Sequence, residues 1–179
     1  MRKRKVVKVL VTALICVGCA VFLVSQIKLE KERDRDMAAY VLSAELKKRV
    51  EEACDGTDNP RDIIENCSEM ACGMLAFSAK NHIAEGKANC VGYAQLTAAI
   101  INHAFQTKQL PYYANPVVGK VYLFGIDLNN VAQKILPDKY RPFFKDHDFV
   151  EINLGERIIY KDTSLQDFSG LNFTQTPDL

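Results

Sequence analysis

Cysteine and histidine are the side chains best suited to nucleophile and base work near neutral pH, and this 179-residue chain has six of the first and three of the second. Cys90 follows a polar link, NHIAEGKAN, and opens the run CVGYAQLTAAIINHAF. A helix starting there surrounds the sulfur with unpaired backbone N–H groups and the positive end of the helix dipole, which favour a thiolate. A buried free thiol is the plainer reading of any single cysteine. A thiolate nucleophile needs an imidazole beside it. His103 lies 13 residues along the same helix, roughly 20 Å away and out of reach. His82 sits in the polar link, whose neighbours read as solvated surface. His147 opens an alternating stretch, with Phe149 on its own face and Val150 and Ile152 on the other, and is the favoured base.

An imidazole in that role is oriented by a carboxylate. If the hairpin within 146–164 turns between Leu154 and Gly155, paired positions sum to 309 and Asp162 falls opposite His147, with side chains about 5 Å apart on one face. The same register pairs Phe149 with Tyr160 and Val150 with Ile159. Cys90, His147 and Asp162 then make a nucleophile, a base and an orienting acid for acyl transfer through a thioester. The other reading of Asp162 is a strand-end turn residue, since DTS is ordinary turn chemistry.

The elements that must position these residues read as α+β, with helices first and an antiparallel sheet second. The charged stretch 29–53 is rich in helix formers and is expected to be a helix, partly a stalk and partly docked. DGTDNP ends it, and Asn59 before Pro60 marks a domain boundary. The division expected is therefore a tail and anchor over 1–28, a charged helical stalk over 29–59 and a catalytic-type domain over 60–179. Within that domain a helix spans 61–79, and 90–105 forms a central, closely packed helix. Residues 112–124 read as strand, 127–144 as a loop able to act as lid or partner surface, and 146–164 as two strands about Gly155.

The amino terminus sets the compartment. MRKRKVVK carries five basic and no acidic side chains, and the next 19 residues are uncharged up to Lys28. As a helix that run is roughly 28 Å long, close to the thickness of a bilayer core. The basic flank stays cytoplasmic, so residues after Lys28 lie outside the cell membrane and the chain crosses it once through 9–27. A cleaved signal peptide and a lipid-modified Cys19 are the alternatives to this anchor. Five of the 23 basic side chains lie in the first eight residues, leaving 18 against 22 acidic, near −4, for the rest. That balance argues against nucleic-acid binding. No metal or cofactor is expected, although Cys54 with Cys67 or Cys72 could form a disulfide in an oxidising compartment.

GKANCVGYAQLTAAII, followed downstream by HDFVEI and IIYKDTS, resembles the core of the transglutaminase-like superfamily, papain-like folds with Cys, His and Asp in that chain order. The resemblance spans roughly 86–165. It implies Cys90 as nucleophile, Tyr93 and Ala94 as the aromatic and small pair of its helix, and Val117 to Gly119 as the strand before the histidine. It further implies His147 as base, Glu151 as the acidic residue of the following strand and Asp162 as third triad member. Asp148 and Phe149 stand where the family commonly has a small residue and then Trp, and Asp148 beside His147 is expected to raise the imidazole pKa. The expected activity is peptidase or acyltransferase chemistry on peptide or Gln-type amide bonds of a peptide or protein substrate. A peptide- or wall-binding domain with an inactive cleft, or a helical assembly subunit, are the alternatives; oligomeric state is not encoded.

Overall fold

A computed structural model describes Phe22 and residues 25–138, 145–170 and 172–177. Most of the expected anchor, 9–27, therefore lies outside the described residues. Among the described residues, no helix is long and apolar enough to cross a membrane.

Five helices and an antiparallel sheet make up the described chain, an α+β arrangement. In chain order these are β1 (Ile27–Asp34), α1 (Ala44–Ala53), α2 (Pro60–Met74), β2 (Ala76–Phe77), β3 (Lys87–Ala88), α3 (Cys90–Thr107), β4 (Tyr113–Leu123), β5 (Ile126–Asp127), α4 (Leu128–Ile135), β6 (His147–Asn153), β7 (Ile158–Lys161), α5 (Thr163–Ser169) and β8 (Thr174–Gln175). The main sheet runs β1-β4-β6-β7-β8, with β5 folded back on β4. β4 is its hub. The first half of β4 pairs with β6 and the second half with β1, the two ladders overlapping at Val117 to Gly119. A Cβ on Gly119 would meet the Glu30 carbonyl at 2.1 Å, so β1 can approach only a glycine there.

α3 is buried along most of its length. Leu96, Ile100, Ile101 and Phe105 are almost fully enclosed between α1, α2 and the sheet residues Ala114, Val150, Ile152 and Ile159. Burying a side chain of this kind contributes about 1.5–3 kcal/mol. A smaller apolar cluster, Leu29, Val117, Phe149, Tyr160 and Phe173, fills the inside of the sheet's curl. The two end strands meet through one side chain. Gln175 of β8 accepts from the Leu29 N–H of β1 at 2.6 Å and donates to the Leu29 carbonyl at 3.3 Å.

Three expectations are corrected. Residues 27–34 form a strand rather than part of a helical stalk. The helix propensity of Leu, Glu, Lys and Arg is a few tenths of a kcal/mol per residue, less than β4 gains by pairing an otherwise open edge. α1 is no stalk either, because Leu46, Val50 and Cys54 enter the core; the folded unit thus includes residues well before 60. Asn59 instead caps α2, its side chain accepting from the Arg61 N–H, with Pro60 in the first turn. Finally, the 127–144 loop contains α4, capped by Asp127.

The β6–β7 hairpin pairs Val150 with Lys161, Glu151 with Tyr160 and Ile152 with Ile159. Positions sum to 311, two beyond the expected register. Because strand side chains alternate with period two, that slip keeps every residue on its expected face.

Candidate active site

Asn89 has extended backbone and accepts the Gly92 N–H on its side chain, so the helix begins at Cys90. The N–H groups of Cys90 and Val91 lie in the first turn and have no intrahelical acceptor. Cys90 is half-buried. His147 opens β6, held opposite Gly119 of β4. The His147 Nε2–H donates to Asp162 Oδ2 at 2.6 Å, and Cys90 lies near enough to the ring to raise the His147 pKa. With Nε2 engaged by Asp162, Nδ1 is the ring nitrogen not bound to the carboxylate. Cys90, His147 and Asp162, separated by up to 72 positions in sequence, are thus brought together; His82 and His103 are not. His103 instead contacts Glu51 at 3.0 Å, and His82 is exposed.

Asp162 is the N-cap of α5 rather than a β7 residue. Its Oδ1 accepts from the Leu165 N–H at 2.9 Å and the Ser164 hydroxyl at 2.8 Å, while Oδ2 takes His147. Both oxygens are therefore committed, in a side chain only 1 % exposed. Burial pushes this carboxyl upward, but the His147 charge and these hydrogen bonds bring its pKa below the ordinary value. Burial likewise disfavours the charged imidazole, yet Asp162 and Cys90 together hold the His147 pKa well above its ordinary value.

Asp148 keeps the expected charge interaction with His147 but takes another group as its hydrogen-bond partner. Strand alternation turns it away from His147, and it is the buried partner of Arg35, whose Nε donates at 2.9 Å. The leading contributions that raise the His147 pKa come from Asp162 and then Cys90. Glu151 also turns to a structural partner, the Lys31 ammonium at 2.7 Å.

α5 is clamped to α3. Tyr93 donates to Asp167 at 2.6 Å, and the buried Thr97 and Thr163 hydroxyls share a bond of 2.9 Å. Behind them the buried Lys161 ammonium bonds Glu65 at 3.1 Å and Asn172, joining β7 to α2. Its pKa is lowered by burial, against the pull of Glu65.

Two features escaped the sequence reading. Asn81 packs over the first turn of α3 so closely that a Cβ on Gly92 would lie 1.8 Å from its Oδ1; no spacing rule links the two positions. The second is an apolar cavity of about 470 Å³ that reaches His147, lined by Val121 and by Leu128, Val131, Ala132, Ile135 and Leu136 around α4. Among the described residues, no group of three or more His, Cys, Asp or Glu could hold a metal ion. Comparisons with protein-family models, curated proteins and solved structures return no match.

Proposed function

We propose that this chain is a membrane-anchored, transglutaminase-like cysteine enzyme that cleaves or transfers peptide or Gln-type amide bonds outside the cell membrane. The observation that carries the reading is the His147–Asp162 pair, bonded through Nε2 at 2.6 Å, with Cys90 at the start of α3 close enough to raise the His147 pKa. The Cys90 sulfur attacks the substrate carbonyl carbon and its proton resides on His147. The C=O π pair moves onto oxygen, where the orphan N–H groups of Cys90 and Val91 stand at the helix start. Collapse expels the amine, which takes the proton from the imidazolium, and leaves a Cys90 thioester. Water or a second amine, deprotonated by His147, then attacks the thioester and restores the thiol. Asp162 keeps the imidazole in one tautomer and steadies its charge throughout.

The test is a covalent adduct. An electrophilic amide-mimicking probe should modify Cys90, mapped by peptide mass spectrometry, and Cys90→Ala should remove both the adduct and the activity. Probe labelling no faster than that of an unfolded thiol would refute the enzyme reading and leave the cleft as a peptide- or protein-binding site.

A further inference from the structure

One end of the molecule concentrates exposed apolar surface. Phe22 is 57 % exposed, Phe124 52 %, Ile126 56 % and Ile135 73 %, four of the nine exposed large apolar side chains among the described residues. Phe22, Phe124 and Ile126 gather where β1 begins, and Ile135 lies along α4 toward His147. Ile27 pairs with Leu123, the Phe124 N–H reaches the Gln26 carbonyl at 3.4 Å, and the Phe22 and Phe124 rings lie 6.1 Å apart. The β4–β5 turn at this end is built from Phe124 and Gly125, both with positive φ, at 52° and 76°. Glycine suits that conformation, whereas an aromatic side chain does not. Fold stability alone gives no reason for Phe124.

The chain that ends at this spot is the 19-residue uncharged run after Lys8. Its last residues already lie against the fold, with Phe22 beside Phe124, Gln26 bonded to the Phe124 N–H and Ile27 opening β1. If that run spans the bilayer, the exposed tip must emerge at the headgroup boundary, where aromatic and aliphatic side chains partition favourably. The apolar stripe of α4, Leu128, Val131, Ala132 and Ile135, continues from the tip into the cavity at His147. Gly119, opposite His147, is five residues from Phe124 along β4, or roughly 16 Å.

We propose that the β4–β5 tip and the apolar face of α4 seat on the outer surface of the bilayer, so that the cavity at His147 opens at the lipid surface and admits membrane-proximal polypeptide. This inference rests on the anchor in the proposed function, and its test separates the two. The chain has no Trp, so I126W and I135W each place one indole on the proposed face. V41W, at an 86 % exposed site preceding α1, is the control.

Full-length variants are reconstituted in phosphatidylcholine and phosphatidylglycerol vesicles, with and without acyl-brominated phosphatidylcholine, and checked for flotation. I126W and I135W should emit to the blue of V41W and be quenched about twofold or more by brominated lipid, as expected for side chains at the acyl boundary. Flotation with neither indole quenched beyond V41W overturns the docking and leaves the anchor standing. A blue shift without quenching also overturns it, assigning the face to a second copy or a peptide. Failure to float with the vesicles overturns both.

Discussion

The Tyr93 hydroxyl donates to the Asp167 carboxylate across 2.6 Å, joining the helix that begins at Cys90 to the helix capped by Asp162. Tyr93→Phe deletes that bond and leaves no buried donor behind. Urea unfolding should show a loss of about 1 kcal/mol, the usual worth of such a bond. With the Thr97–Thr163 bond left to tie α5 to α3, kcat should fall a few-fold while KM stays constant. An unchanged kcat with the stability loss present would make the clamp purely structural.

Asp162 serves two masters, and substitution separates them. Asp162→Asn retains an N-cap side chain but gives up the charge that orients His147, so turnover should drop about 10²- to 10⁴-fold. Asp162→Ala should lose the same activity and about 1 kcal/mol more stability through the missing cap. Wild-type turnover in the asparagine variant, measured at constant substrate, would exclude Asp162 from the reaction.

The pair also sets a pH window. His147 has a raised pKa, so its contribution is complete below the unfolded value of about 6.5 and is lost as pH climbs through the folded value. Asp162 has a lowered pKa, so its contribution is complete above about 3.9 and is lost as pH falls through the folded value. The Tm difference between wild type and Asp162→Asn should therefore be greatest between about pH 4 and 6.5 and shrink on both sides. A difference that stays flat from about pH 3 to about pH 9 would show that no such ion pair exists.

Cys54 at the end of α1 and Cys67 on α2 hold their sulfurs 3.8 Å apart as free thiols. Either sulfur can be the donor in this contact, and Cys54 together with burial pushes the Cys67 pKa upward. Exchange with oxidised glutathione should therefore join Cys54 to Cys67 and release two molecules of reduced glutathione. In a Cys90→Ala background, non-reducing peptide mapping should find Cys54 linked to Cys67, and unfolding free energy should rise by about 3 kcal/mol for a loop of this length. Cys72 is engaged elsewhere, donating to the Thr163 carbonyl at 3.4 Å. A Cys54–Cys72 link would contradict this packing.

The start of α3 was legible because a polar link containing Gly86 precedes Cys90 and the run after it is apolar on nearly all sides. The meeting of His147 with Asp162 was legible for a subtler reason. The true hairpin register differs from the expected one by two, an even step, and faces survive even steps. What was not legible depended on partners distant in sequence. β1 is a strand only because β4 offers it an edge, and Asp148 lies beside His147 in the chain yet across the sheet from it in space, held by Arg35. α4 carried apolar residues at helical spacing, Leu128, Val131, Ala132 and Ile135, but its Asn pair and the following Pro137 gave it the texture of a loop.

The bond pair from Gln175 to Leu29 spans 146 positions of chain. Contacts of such separation carry a large loop-closure entropy and form late. The Leu29 backbone groups of β1 must therefore wait for Gln175 until β8 has been delivered. Chains interrupted before residue 175 would leave the Leu29 N–H and carbonyl without this partner, a local opening on β1 for quality-control proteases to read.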